Sequence, residues 1–292
     1  MKRVTKSGIA LGTFDGIHEG HKSVLNAVLQ NSAEEPVCLA FGTPTAYYKH
    51  HSGLLMQPEV KREKLYELGF KRVDFLEFKS CRDMSPRDFL DMLRLEYSAA
   101  TLSCGFNYRF GKNAAGDVKL LEDYCKEYNM KLTVAKAITD DGEVVSSTLI
   151  RNLIAKGELS RANRLLGKSL EFRSKVIDGA HRGRLMGFPT INQPLPEGFV
   201  VPKFGVYATS VKIDGKKYLG ITNIGVHPTF PLSDPISETH ILNFNGNLYG
   251  KEIAVHLLGF VREERKFKDI NELTAAIEHD RKTITKGDYR WF

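Results

Sequence analysis

Long hydrophobic runs are missing from this chain of 292 residues. No apolar stretch approaches the roughly 20 residues that span a bilayer, and the early run at 9–14 is broken by Asp15. Neither a membrane-spanning helix nor a secretory leader is therefore expected. Cysteine is scarce. Cys38, Cys81, Cys104 and Cys125 are widely spaced with no C-x-x-C, which argues against a disulfide framework or a zinc site and predicts reduced thiols in the cytosol. Long basic runs are also absent. The net charge of +7 divides into 22 basic and 20 acidic residues over 1–157, and 20 and 15 over 158–292. Anionic nucleotides, or a solvated mixed surface, account for so mild an excess as well as RNA would. Small-molecule partners are expected, and neither nucleic acid nor a membrane. Oligomeric state, self-association included, is left open.

What the sequence does have is a glycine-punctuated segment near its start. The apolar run Ile9-Ala10-Leu11 leads into Gly12-Thr13-Phe14-Asp15-Gly16-Ile17-His18-Glu19-Gly20-His21, after which Val24-Leu25 and Val28-Leu29 recur at the spacing of one helical face. Strand, turn and helix are predicted. His18 and His21 lie three residues apart at the helix start, so both imidazoles project from one face beside the exposed N–H groups and positive dipole end that attract a phosphate. Two solvated histidines after an ordinary turn would explain H-x-x-H alone. They do not explain glycines at 12, 16 and 20 together with Asp15.

Strand and helix signals then alternate to about residue 140. Strands are predicted at Val37–Phe41, Arg72–Phe78, Ala100–Gly105 and Lys131–Ile138. Helices are predicted at Pro58–Gly69, from Ser85-Pro86 to Tyr97, and at Gly116–Asn129. That alternation implies a parallel α/β sheet, whose ligands gather at the carboxyl ends of its strands. Two further segments belong at the same edge, Cys104 to Lys112 and Ser146-Ser147-Thr148-Leu149-Ile150-Arg151. A helical connection at about 148–167 separates a first domain, 1–157, from a second, 158–292.

The second domain reads differently. Phe204–Ile213, Tyr218–Ile224, His240–Phe244 and Ile253–Phe260 are short alternating runs, with Asp214-Gly215 and Asn245-Gly246 as hairpin signals. An antiparallel barrel or sandwich is predicted, with a C-terminal helix at Ile270–Ile284. Before it, Gly179 to Asn192 interleaves glycines with cations. Arg182, Gly183, Arg184 and Gly187 are suited to fold over a polyphosphate, and Pro189-Thr190-Ile191-Asn192 sets a hydroxyl and an amide oxygen on one side of an extended segment, as hard Mg²⁺ ligands should be placed.

The opening segment resembles the G-x-F-D-G-x-H-x-G-H of bacterial FAD synthetases, and the segments at 104–112 and 146–151 resemble that family's G-x-N-F-x-F-G and S-S-T-x-I-R. Gly187-Phe188-Pro189-Thr190-Ile191-Asn192 is similar to the G-x-P-T-A-N of riboflavin kinases, and Ser237 to Gly250 to their E-x-H-L-L-D-F-x-G-D-L-Y-G. From Leu11 to about Arg281 the order of motifs is that of bifunctional riboflavin kinase/FAD synthetases.

The resemblance implies a Rossmann-like nucleotidyltransferase domain followed by a β-barrel kinase domain, both using ATP. Riboflavin, FMN and FAD would be their substrates or products. It implies Gly12, Phe14, Asp15, Asn107, Ser146 and Arg151 at a nucleotide, His18 and His21 as catalytic, Thr190 and Asn192 at the metal, and Glu238 as the base an attacking hydroxyl requires. Three departures stand out. Phe41-Gly42-Thr43-Pro44-Thr45 replaces the family's F-x-P-H-P, with His50 and His51 downstream; Leu149 replaces an arginine; and His227 replaces the arginine of N-I-G-x-R-P-T. They leave room for a kinase whose first domain is a slow synthetase or a flavin-nucleotide- or RNA-binding regulatory module.

Overall fold

A computed structural model describes residues 5–31, 33–42, 53–77, 81–179, 183, 187–226, 235–287 and 289. The chain divides into two compact units, Met1–Ser147 and Thr148–Phe292. Thr43 to Thr45, His50, His51, Arg182, Arg184 and His227 lie outside the described residues.

The first unit is a five-stranded parallel sheet in the order β3-β2-β1-β4-β5, formed by Ser7–Gly12 (β1), Glu35–Phe41 (β2), Arg72–Leu76 (β3), Ala99–Gly105 (β4) and Lys131–Ala135 (β5). Successive side chains on a strand point to opposite faces, and this sheet is buried on both. Ile9 and Leu11 pack with Phe89, Leu90 and Leu93 of one helix layer. Ala10, Cys38 and Ala40 pack with Val24, Leu25, Val60 and Leu65 of the other. Those layers comprise Glu19–Leu29 (α1), Pro58–Glu67 (α2), Pro86–Leu95 (α3) and Val118–Glu127 (α4). Start signals were legible locally at two helices: Ser85 accepts from the backbone N–H of Asp88, and Pro58 and Pro86 open their helices, while Asp117, which accepts from Leu120 N, caps a helix predicted to start at Gly116. The strand order reverses between β1 and β4, and such a point opens a crevice at the strands' carboxyl ends. After β5 comes a two-residue hairpin, Thr139–Asp140 (β6) and Glu143–Val144 (β7), which ends the predicted strand at Ala135 instead of Ile138.

The second unit starts one residue into the helical connection, Ser147–Lys156 (α5) and Leu159–Leu166 (α6), closed by left-handed Gly167. Asn163 of α6 is buried and donates Nδ2 to Leu257 O at 2.9 Å, while its Oδ1 accepts from Leu170 N at 2.8 Å. Six antiparallel strands follow in the order β8-β13-β10-β11-β12-β9: Leu170–Lys175 (β8), Thr190–Pro194 (β9), Gly205–Ile213 (β10), Lys216–Gly225 (β11), Ile236–Ile241 (β12) and Glu252–Arg262 (β13). The sheet curls toward a barrel. Its two edges meet in an antiparallel bridge between Ile177 and Asn192, and Gln193 Nε2 donates to Ser174 O and Ile253 O at 2.7 and 2.9 Å. Ile270–Lys286 (α7) lays Ile284 against Val206, Ala208, Ile221 and Leu258, and Asp280 on it holds the Arg262 guanidinium at 2.8–3.1 Å.

One strand lies elsewhere than the sequence suggested. His240–Phe244 was expected, but β12 runs Ile236–Ile241, and the chain turns away at Asn243 (φ 58°). Its buried face carries hydroxyls in place of methyls. Thr209, Thr222 and Thr239 form a ladder of 2.8 Å hydrogen bonds across three strands, so an apolar alternation has nothing to detect there. Asn245-Gly246 closes no hairpin and lies in the loop before β13, because β12 and β13 are not neighbours in the sheet.

Candidate active sites in the two units

In the first unit the chain leaves β1 at Gly12 and re-enters regular structure at α1. Between them Phe14 and Ile17, both at φ 48°, hold the left-handed region that non-glycine residues seldom occupy. Strain of this kind persists only where the surroundings enforce it. Here a Cβ on Gly12 would lie 2.8 Å from the Phe14 ring, which is itself buried, so the turn folds tightly over its own aromatic. His18 caps α1: its Nδ1 accepts from His21 N at 3.3 Å, leaving Nε2 as the nitrogen that carries the proton in the neutral ring. The His18 and His21 rings stack with centroids 3.6 Å apart and 19° between planes, and Phe14 meets His21 edge-on at 5.4 Å.

A cavity of about 340 Å³ opens here, and its lining brings together Gly12, Phe14, His18, His21, Asn107 and Ser146. Ser147, also in the lining, donates its hydroxyl to Asp15 O at 2.9 Å, which ties the last residue of the first unit to the glycine turn. A second cavity of about 830 Å³ shares Gly12, Phe41, Tyr108 and Arg109 with the first, so the crevice has room beyond a nucleotide's phosphates. Two sequence candidates are placed differently. The Asp15 side chain is 1% exposed and accepts from Leu55 N at 3.0 and 3.3 Å, behind the cavity instead of in it. Arg151 sits one turn along α5 and belongs to the second unit.

In the second unit β9 and β12 pair so that Asn192 stands opposite Glu238 and Thr190 opposite His240, while β11 sets Asn223 opposite Glu238. Directly opposed residues share a face with Cβ atoms about 5 Å apart. Glu238, Asn192 and Thr190 are thus neighbours, although 46 positions separate Asn192 from its partner in register. Asn192 is 5% exposed, and its Oδ1 is buried with no hydrogen-bond partner among the described residues. A buried acceptor left without a donor is disfavoured, and a hard cation is one group that would satisfy it. A Cβ on Gly179 would come 2.4 Å from Asn192 Nδ2, so only glycine lets that loop close over the amide. The donor set therefore fits Mg²⁺.

Thr190 and Asn192 line a cavity of about 590 Å³ with Val176, Thr239, Phe244 and Tyr249. Of the loop candidates, Gly183 accepts from Phe188 N at 2.9 Å, and Gly187 takes φ 80° with open space around it. His240, which sequence reasoning passed over, places Nδ1 2.8 Å from Pro189 O and its ring 5.5 Å from Phe188. It anchors the approach to Thr190, and only the register of β9 and β12 identifies it.

Comparison with known proteins agrees with this division. The family model described as FAD synthetase matches residues 1–149, and the one described as riboflavin kinase matches residues 166–287. A bifunctional riboflavin kinase/FMN adenylyltransferase of Bacillus subtilis strain 168 is 33% identical over 287 residues, covering 94% of this chain and 90% of its own. The Escherichia coli K12 protein of that name is 32% identical over 285 residues, covering 94% and 90%. A solved structure from Streptococcus pneumoniae, named a macrolide-efflux protein, superimposes with TM-score 0.86 at 26% identity over 97% of this chain and 95% of that one. Among the described residues of the present chain, no helix is long and apolar enough to cross a membrane. Sequence and fold together place the chain in the family of bifunctional riboflavin kinase/FMN adenylyltransferases.

Proposed function

We propose that the chain runs two ATP-dependent transfers, phosphorylating riboflavin to FMN in a domain spanning 158–292 and adenylylating FMN to FAD in one spanning 1–157, with the helices of 148–167 between them. The observation that carries it is the coincidence of each family match with a unit that has its own cavity, lined by Thr190 and Asn192 in one and by Gly12, Phe14, His18, His21, Asn107 and Ser146 in the other. In the kinase domain, Glu238 takes the proton from the ribityl 5′-hydroxyl as it attacks the γ-phosphorus of ATP. Thr190 Oγ1 and Asn192 Oδ1 would hold Mg²⁺, which would neutralise charge on the phosphates, and Arg182, Gly183, Arg184 and Gly187 are the residues assigned to those phosphates. In the first domain the FMN phosphate attacks the α-phosphorus and pyrophosphate leaves. His18 and His21 face the charge that grows there, with Ser146 and Asn107 on the nucleotide. Gly12 and Phe14 line the cavity at the nucleotide, and Asp15 holds the turn from behind. Four free cysteines support a cytosolic setting.

Incubation with riboflavin, ATP and Mg²⁺ followed by chromatography should yield FMN and then FAD. FMN without FAD would remove the adenylyl transfer and leave a kinase with an inert first domain. Metal binding gives a second check. Thr190 and Asn192 offer only neutral oxygens, so Mg²⁺ should bind weakly to the free protein and well once ATP supplies its phosphates. Calorimetry showing tight Mg²⁺ binding without nucleotide would point to a carboxylate site elsewhere.

A further inference from the structure

The first unit spends a buried cation on no substrate. Lys61 in α2 is 0% exposed, and its Nζ donates to Phe41 O at 2.6 Å, Gly42 O at 3.0 Å and Thr13 O at 3.1 Å. An ammonium has three N–H donors and no acceptor, so three carbonyls saturate it and leave nothing for a ligand. Those carbonyls come from the carboxyl ends of two adjacent parallel strands, Thr13 just after β1 and Phe41-Gly42 where β2 ends. Thr13 and Phe41 both line the cavity that holds His18 and His21. Carbonyl dipoles converging on one buried point repel each other unless a cation sits between them. Lys61 supplies that charge, with Phe75 of β3 beneath it at 5.1 Å. The charge also attracts Asp15, in the turn between left-handed Phe14 and Ile17. One ammonium thus joins both strand ends and the strained turn.

We propose that Lys61 is a positioning residue for adenylyl transfer, its ammonium clamping Thr13 to Phe41-Gly42 and so fixing the mouth of the crevice in which the paired histidines meet the nucleotide. The assignment rests on the first domain being the adenylyltransferase. Displacing reacting groups by about 1 Å through a distant change lowers turnover by on the order of 10²-fold, so the clamp should appear in kcat more than in KM.

Lys61→Met keeps length and apolar volume while removing the charge and all three donors. FAD formation from FMN should fall by about 10²-fold in kcat with KM for ATP and FMN little changed, while riboflavin phosphorylation by the same preparation is retained. If Lys61 only supported folding, the variant would unfold at lower temperature but turn over normally per folded molecule, and that result overturns the proposal. The wild-type chain gives an arm that needs no variant. Burial pushes the Lys61 ammonium down to about 8, against the opposing pull of Asp15. The groups facing it are Asp15 on the turn and Cys38 on β2, with Arg62 over the same Phe75 ring at 4.6 Å. Burial raises the Cys38 thiol far above that range, so it keeps its proton there. FAD formation should therefore decline as pH rises through about 8, with no matching limb in riboflavin phosphorylation. A profile flat across that range would overturn the clamp. A wild type that forms no FAD removes the adenylyltransferase assignment and the clamp together, whereas FAD formation equal in wild type and Lys61→Met removes the clamp alone.

Discussion

Glu238→Gln should lower the turnover of riboflavin phosphorylation by roughly 10²–10⁴-fold, the usual contribution of a positioned general base. The ribityl hydroxyl is a weak nucleophile until its proton is taken, and an amide of the same shape cannot take it. Folding should be spared. Glu238 is only half-buried on β12, its backbone pairing with Asn192 and Asn223 is indifferent to the side chain, and the hydroxyl ladder through Thr239 points to the other face. FMN adenylylation should continue at the wild-type rate, because the first unit has its own cavity. Initial rates with each flavin measured separately decide the matter. Near-normal phosphorylation by the variant would take Glu238 out of the role and leave the base to be sought elsewhere around Thr190 and Asn192.

The parallel half was legible because its punctuation is local. A proline in the first turn of a helix and a side chain capping the next amide act over three or four residues, and Pro58 and Ser85-Pro86 mark boundaries that the structure keeps. The antiparallel half was legible in kind and less so in register. The hairpin at Asp214-Gly215 is present, with both residues at positive φ. The strand bearing Glu238 was displaced by several positions because its core face is built of Ser237 and Thr239, polar residues satisfied by Gln193 O and Thr222. Hydrophobic periodicity reports burial only where burial is apolar.

The site residues divide along the same line. Histidines three apart at a helix start, or a threonine and an asparagine two apart on a strand, form a constellation that a sequence displays directly. The pairing of Asn192 with Glu238 depends on which strands lie side by side, and no local pattern encodes it. Asp15 looked like a ligand contact because a carboxylate in a glycine turn is conspicuous, but its partner, the Leu55 amide, is 40 positions away. Lys61 was invisible for the converse reason. Within Lys61-Arg62-Glu63-Lys64 it reads as one more solvated charge on a helix, and only the sheet ends beneath it make it a buried one.

His21→Ala should reduce FAD formation from FMN by roughly 10²–10³-fold in kcat, the range lost when one group aimed at developing charge is removed. The loss should be confined to turnover, since an interaction that strengthens as charge builds on the α-phosphorus contributes little to holding ground-state ATP. Local structure should survive the truncation. His18 caps α1 by accepting from the backbone N–H at position 21, which alanine retains, and α1 is held by Val24, Leu25 and Val28 in the core. What disappears is the ring stacked 3.6 Å from His18 and in edge contact with Phe14. Riboflavin phosphorylation should be unchanged, because its phosphate loop and metal ligands belong to the other unit. The replacements at Thr43 to Thr45 and at Leu149 set the wild-type baseline: synthesis is expected to be slow, yet measurably above the variant. Assays varying ATP at saturating FMN separate the cases. A rise in KM for ATP as large as the fall in kcat would make His21 a ground-state contact, and equal traces of FAD from wild type and variant would mean that the paired histidines do not serve adenylyl transfer.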